Sequence, residues 1–414
     1  MSQLPRFFRI RRHTHPPRIT DIPETVRSEL DASGVHLEPG SRVALAVGSR
    51  GIMNLAAIVR ETVDWLKQQG AQPFIVPAMG SHGGGTAEGQ EAVLREYGVS
   101  QEALGIPVVS SMEVVELPGG DLPVPVFFDQ KALEADATVI LNRVKPHTSF
   151  HGAHESGLVK MVAIGLGKHR GAASIHRLGV TGLREIMPKV AAQGLRYGNV
   201  RLGIAIVENS NDETMLVKAV PAARIVELDH ELLAVARAAM PALPVSAIDI
   251  LILDEMGKDI SGLGIDPNIV GRLKIPGQPE PESPKVKMII VRALTAKSRG
   301  NAAGVGLADI ITRNLFEAVD LRATYENVLT STFLERAKIP LIAEDDDEAL
   351  QFAGRATGVP ALSEARILRV KNTLHLADAW ISEVLLPDVS RLDNVEVRGE
   401  VSPVLNETRE LTDL

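Results

Sequence analysis

Apolar residues along this chain fall into short uninterrupted runs separated by amphipathic stretches, and the two kinds of segment alternate. RVALAVG (42–48) has the length and composition of a buried strand. The stretch over about 54–69 then places Leu55, Ile58, Val59, Thr62 and Leu66 on one helical face. QPFIVPAM (72–79) predicts a second strand, and TAEGQEAVLREYG a helix closed by Gly98. IPVV and VPVFFD predict shorter strands and ATVILNRV (137–144) a further one, with helical periodicity resuming from Ser156 and again over 181–193. RLGIAIVEN and TMLVKAVPA read as a strand pair with NSNDE as the hairpin loop, and a helix follows over about 222–240.

After ALPVSA, which reads as a linker, the pattern begins again. IDILILDEMG and KMIIVRAL predict strands, and helices are expected over roughly 305–337. IPLIAE, a helix at 346–356, RILRVKN and ADAWISEVLL complete a second unit. Alternating strands and helices with wholly apolar strands imply parallel sheets covered on both faces. The expected fold is therefore α/β: two α/β domains, parallel-rich sheets flanked by helices, with the active site in the interdomain cleft. The expected boundaries are 1–245, an N-terminal catalytic and cofactor-binding domain, and 246–414, a C-terminal domain closing the cleft, hinged near 242–248. A chain of 414 residues also exceeds the roughly 250–300 at which one core stops growing.

Composition narrows the function. Hydrophobic residues at 45% and charged residues at 23% are ordinary for a soluble globular protein, and aromatics at 3% leave Val, Leu, Ile and Ala to build the cores. A net charge of −8 argues against nucleic acid as a partner. No apolar run approaches the ~20 residues of a membrane span. The opening MSQLPRFFRIRRHTHPP is basic but lacks the apolar core of a signal peptide, so a cytoplasmic location is the default expectation. The absence of cysteine excludes disulfides, thiolate nucleophiles and iron–sulfur ligation.

The candidate chemistry is concentrated between Arg143 and His176, which hold five of the eleven histidines: His147, His151, His154, His169 and His176. Lys145, Lys160, Lys168 and Glu155 stand among them. Open α/β sheets bind ligands beyond the carboxyl ends of their strands. Here three such ends carry Ser49-Arg50-Gly51, Gly80-Ser81-His82 before a triple glycine, and Lys145-Pro146-His147. The dinucleotide, P-loop and serine-hydrolase signatures are missing. His147, His151 and His154 have ligand-like spacing, which keeps a zinc-dependent hydrolase as an alternative. The acidic run EDDDE (344–348) reads as a solvated helix start.

Ser49-Arg50, Gly80-Ser81-His82, Pro146-His147, Lys160 and His176, in that order and with 176 − 160 = 16 residues between the last two, resemble the nickel-pincer nucleotide-dependent lactate racemase superfamily of 2-hydroxyacid racemases and epimerases. The segment GIDPNIVGRLK (264–274) is similar to that family's stretch ending in a substrate-site lysine. The resemblance implies an isomerase acting by proton-coupled hydride transfer to and from a nickel-pincer nucleotide that other proteins assemble. It implies attachment of that cofactor through Lys160, a nickel ligand in His176, and contacts from Ser49 and Arg50 to the cofactor. Arg50 and Lys274 would hold the substrate, a small 2-hydroxy acid, and His82 and His147 would be the paired acid and base. Gly51 and the glycines after His82 depart from the family pattern, as does a spacing of three extra residues between His147 and Lys160. His151 therefore stays open as the second base, and the identity of the hydroxy acid stays open too. A non-racemising nucleotide- or metal-binding protein of the same fold is the other alternative.

Overall fold

The computed structural model describes residues 4–48 and 51–414. The chain forms two compact units, Pro16–Met240 and Met1–His15 with Pro241–Leu414. The division thus falls close to the expected hinge, but the chain's opening belongs with the C-terminal unit. The reason is strand β1 (Phe7–Arg12), which pairs antiparallel with Asp378–Ser382 and with Val395–Glu400. It buries Phe7 and Ile10 while its arginines stay at the surface or half-buried.

In the unit Pro16–Met240, β2 (Arg42–Val47) and β3 (Gln72–Pro77) lie at one side of a five-stranded sheet. A separate antiparallel pair follows, β4 (Val114–Leu117) and β5 (Val126–Asp129). The sheet continues with β6 (Ala137–Arg143), β7 (Val200–Glu208) and β8 (Thr214–Pro221), in the order β3-β2-β6-β7-β8. All pairings are parallel except β7 with β8. The expected strand at IPVV is reduced to a single bridge from Val108 to Ile75, while β4, in MEVVEL, was not anticipated.

Side chains alternate across this sheet. Val43, Leu45 and Val47 face a core closed by the helix Leu55–Gln68. Ala44 and Ala46 face the opposite core, with Leu158, Met161 and Val162 from the histidine-rich segment. Small residues on that face leave depth for the segment that carries the candidate chemistry.

The other unit contains an eight-stranded sheet. Its remaining strands are β9 (Ala247–Met256), β10 (Lys285–Leu294), β11 (Ile310–Thr312), β12 (Leu341–Ala343), β13 (Ile367–Val370), β14 (Asp378–Ser382) and β15 (Val395–Glu400). The order is β12-β11-β10-β9-β13-β14-β1-β15, parallel from β12 to β13 and antiparallel beyond. β11 lies within the span roughly 305–337 where only helices were expected. Its three β-branched residues are buried between β10 and β12, where the sheet supplies partners that a local reading does not contain.

One buried ion pair fastens the site-bearing segment to the first sheet. Lys168 has left-handed backbone, φ 54°, and no exposed surface. Its Nζ lies 2.9 Å from Asp129 Oδ2 at the end of β5 and donates to the Pro77 carbonyl at the end of β3. Burial lowers the Lys168 pKa and Asp129 opposes that shift. Lys168→Met should cost about 3–5 kcal/mol, because it leaves a carboxylate buried without its counter-charge. Lys168→Met with Asp129→Leu should recover most of that loss. Urea unfolding of the two single variants and the double variant checks the coupling.

Candidate active site

At the carboxyl end of β6 the chain passes through Asn142 and Arg143 into a loop wound around one carboxylate. Glu155 is fully buried. It accepts the backbone N–H of His147 at 2.7 Å and of Gly152 at 3.0 Å, meets His151 Nδ1 at 3.2 Å, and pairs with Arg237 at 2.5 Å. Burial pushes its carboxyl up, but these four contacts together outweigh burial and hold it below the ordinary value. The His147 backbone is thereby fixed. The His147 ring stacks obliquely on Phe150, with centroids 4.7 Å apart, and its Nδ1 accepts the Ser149 N–H at 3.0 Å. A neutral His147 held this way carries its proton on Nε2.

The next turn depends on Gly157. Its φ is 93°, and a Cβ there would overlap Asp229 Oδ1. Asp229, buried on the helix Ile225–Ala239, accepts the N–H groups of Leu158 at 2.5 Å and Val159 at 3.4 Å, while His154 Nδ1 approaches its other oxygen at 3.2 Å. Burial raises the Asp229 pKa against those partners. The carboxylate therefore caps the first turn, Leu158–Lys160, which widens into a π-helical turn over Met161–Gly165. A turn at Leu166–Gly167 then starts the helix Lys168–His176. Under the Gly80-Ser81-His82 loop, Gln90 Nε2 donates to the Gly80 carbonyl at 2.8 Å and to that of His82 at 3.3 Å.

These elements enclose a cavity of about 310 Å³. His82, His147, Lys160 and His176 all line it, so four of the residues singled out in the sequence come together. Asn142, Arg143 and Lys145 form more of its polar wall, and Ile52, Met79, Met161 and Ile164 an apolar one. No acidic side chain lines it among the described residues. Burial pushes the Lys160 amine down to about 8, and no hydrogen bond or ion pair engages it among the described residues. Burial, then the charges of Lys160 and His82, push His176 down to about 4 even though its ring is open to the cavity. At neutral pH His176 is an uncharged imidazole with a lone pair to offer.

Ser49 and Arg50 lie outside the described residues. Lys274 belongs to the other unit, where its Nζ is 3.7 Å from Asp309 and burial lowers its pKa. His151 and His154 turn to Glu155 and Asp229, away from a shared centre with His147. Among the described residues no group of three or more His, Asp or Glu side chains could hold a metal ion. Sequence reasoning missed Asn142, Arg143 and Asp229. Arg143 pairs with Glu208, which also accepts the Met53 N–H at 2.7 Å and so steadies the loop beside the cavity. Only its place at the end of a strand marked it in advance.

A family described as a domain of unknown function (DUF362) matches residues 48–261, more than half of the chain and all of the cavity lining. The chain belongs to that family. No curated protein matches the sequence. Among solved structures, the lactate racemase apoprotein from Thermoanaerobacterium thermosaccharolyticum is similar, with a TM-score of 0.52 and 14% identity over 88% of this chain and 94% of that one. The DUF362 chain therefore has a lactate-racemase-like α/β fold.

The Glu155 hub gives a pH test. Its folded pKa is depressed, so its stabilisation is present above the unfolded carboxylate value of about 4.3 and is lost as pH falls through the lower folded value. Glu155→Gln should cost about 2 kcal/mol at pH 7. That deficit should shrink steadily below about pH 4. Urea midpoints of both proteins across pH 3–7 test the sign, and a deficit that does not depend on pH would contradict it.

Proposed function

We propose that this protein is a racemase or epimerase of a 2-hydroxy acid that uses a nickel-pincer nucleotide. The supporting observation is the convergence of His82, His147, Lys160 and His176 in one cavity without acidic lining among the described residues. The residues fit such a group. Lys160 is a surrounded amine with no polar partner among the described residues and a lowered pKa, suited to covalent attachment. His176 is neutral and can ligate nickel, and the basic lining suits an anionic nucleotide and a carboxylate substrate. When bound, the cofactor supplies a hydride acceptor that the side chains of this chain lack.

The protein's own part is proton transfer and orientation. His147, with Nδ1 engaged by Ser149, presents Nε2–H and is the proton donor to the substrate oxygen. His82, from the end of a different strand, is the base that takes the hydroxyl proton. Reversal exchanges these roles, and both turnover directions need both histidines. Lys274 is assigned to the substrate carboxylate by its place in the GIDPNIVGRLK segment.

Protein purified from its own host should show a mass increase on the Lys160 peptide and should contain nickel, which His176→Ala should lose. His82→Ala and His147→Ala should each lower interconversion of enantiomers by about 10²–10⁴-fold in both directions. With 2-deuterated substrate the label should stay on the α-carbon of the product. Wash-out of deuterium to solvent, or full activity with unmodified Lys160, would overturn the proposal.

A further inference from the structure

The cavity contains a polar atom that the proton chemistry leaves unused. Asn142 ends the buried part of β6, and its Nδ2 donates to the Gly157 carbonyl at 2.8 Å. Only the amide NH₂ can donate, so this bond fixes which end of the side chain is which. Oδ1 faces Gly48, where a Cβ would overlap it and would come 3.3 Å from Met161 Cε. No donor meets Oδ1 among the described residues, yet it is not one of the sealed side-chain atoms without a partner, so it opens to the cavity that Asn142 lines. The other polar side chains of the lining are arginine, lysine, histidine and serine, all of which can donate. Among the described lining residues, Asn142 Oδ1 is the side-chain atom that accepts and cannot donate in any protonation state.

A carboxylate or phosphate finds donors throughout this cavity but gives nothing to Oδ1. A ligand hydroxyl does in the bound ground state, before its proton passes to His82. We propose that Asn142 Oδ1 is a specificity-determining acceptor for the ligand's hydroxyl group, so that the cavity takes a 2-hydroxy acid in preference to the same acid without the hydroxyl. This rests on the reading of the substrate as a 2-hydroxy acid and adds how the hydroxyl is recognised. Rejection of the deoxy acid follows because its binding would strand a desolvated carbonyl oxygen, and sites built for a hydroxyl discriminate strongly for that reason. The same amide ties hydroxyl recognition to Lys160, since its Nδ2 holds the turn on which the lysine helix begins.

Calorimetry on the full chain, with lactate against propionate and malate against succinate, tests this. In the wild-type protein the hydroxylated member of at least one pair should bind about tenfold more tightly or better. Asn142→Ala should bring that ratio to about twofold or less, because the hydroxy acid loses its acceptor and the deoxy acid no longer strands one. Gly48→Ala should do the same without removing the Asn142 amide, because it places a methyl group against Oδ1 at a position whose φ is ordinary for alanine. Equal affinities within both pairs, a ratio that survives both variants, or no binding of either hydroxy acid at tens of millimolar would each overturn the proposal. Racemisation of the same acids is scored separately. A hydroxyl preference without interconversion by cofactor-loaded protein overturns the racemase reading and leaves Asn142 in place; interconversion without the preference does the reverse.

Discussion

The carboxylate of Asp229 sits where a β-carbon on residue 157 would have to be, and the segment that carries the site is laid out from that contact. Gly157 is required twice, for its φ of 93° and for the missing Cβ. Because it is glycine, Asp229 can reach the amides of Leu158 and Val159 and fix the direction in which the Lys160 helix leaves the sheet. An aspartate sealed in protein is costly unless its lone pairs are used. Here His154 and the two amides use them, so the carboxylate has one stable position and the helix has one stable start. Glu155 does the same for the His147 backbone, and Lys168 with Asp129 for the strand ends below His82. Four buried charged side chains thus do the positioning, and none of them lines the cavity.

Their absence from the lining sets the electrostatics of the site. The carboxylates are spent inside the wall, and the surface facing the ligand is left with arginine, lysine and histidine. Crowded bases in a partly desolvated space disfavour one another's protonation, which is why His176 falls to about 4 with Lys160 and His82 among the causes, after burial. An anion in the cavity would offset the contributions of Lys160 and His82 but not the larger one of burial.

What a reader of the sequence can see follows from which interactions are local. Apolar strands followed by amphipathic helices, and the polar residues directly after the strands, are local, so His82 and His147 were legible as strand-end residues, while Lys160 and His176 joined them only through the family resemblance. The partners that hold them were not. Asp229 is 71 residues from Leu158, and nothing around it in ELDHELL distinguishes it from an ordinary helix-surface aspartate. β1 pairs with residues some 370 positions away, so a basic opening with alternating apolar positions gave no sign of belonging to the C-terminal sheet. β11 is three residues long and depends on its neighbours for every ladder bond. The histidine spacing of 147, 151 and 154 was legible and misleading, because a loop can place near neighbours around a carboxylate as easily as around a metal.

The cavity's two walls differ in how freely they can change. Asn142, Gly157 and Asp229 lock one another: the amide holds the Gly157 carbonyl, and the glycine admits the carboxylate that caps the Lys160 turn. A substitution at any of the three disturbs the other two, and Gly48 joins them because its missing side chain leaves room for Asn142 Oδ1. Ile52, Met79, Met161 and Ile164 carry no such obligations beyond filling space, and methionine adapts to altered volume more readily than branched residues do. The frame that presents the lysine and an acceptor can therefore stay fixed while the apolar wall is reshaped.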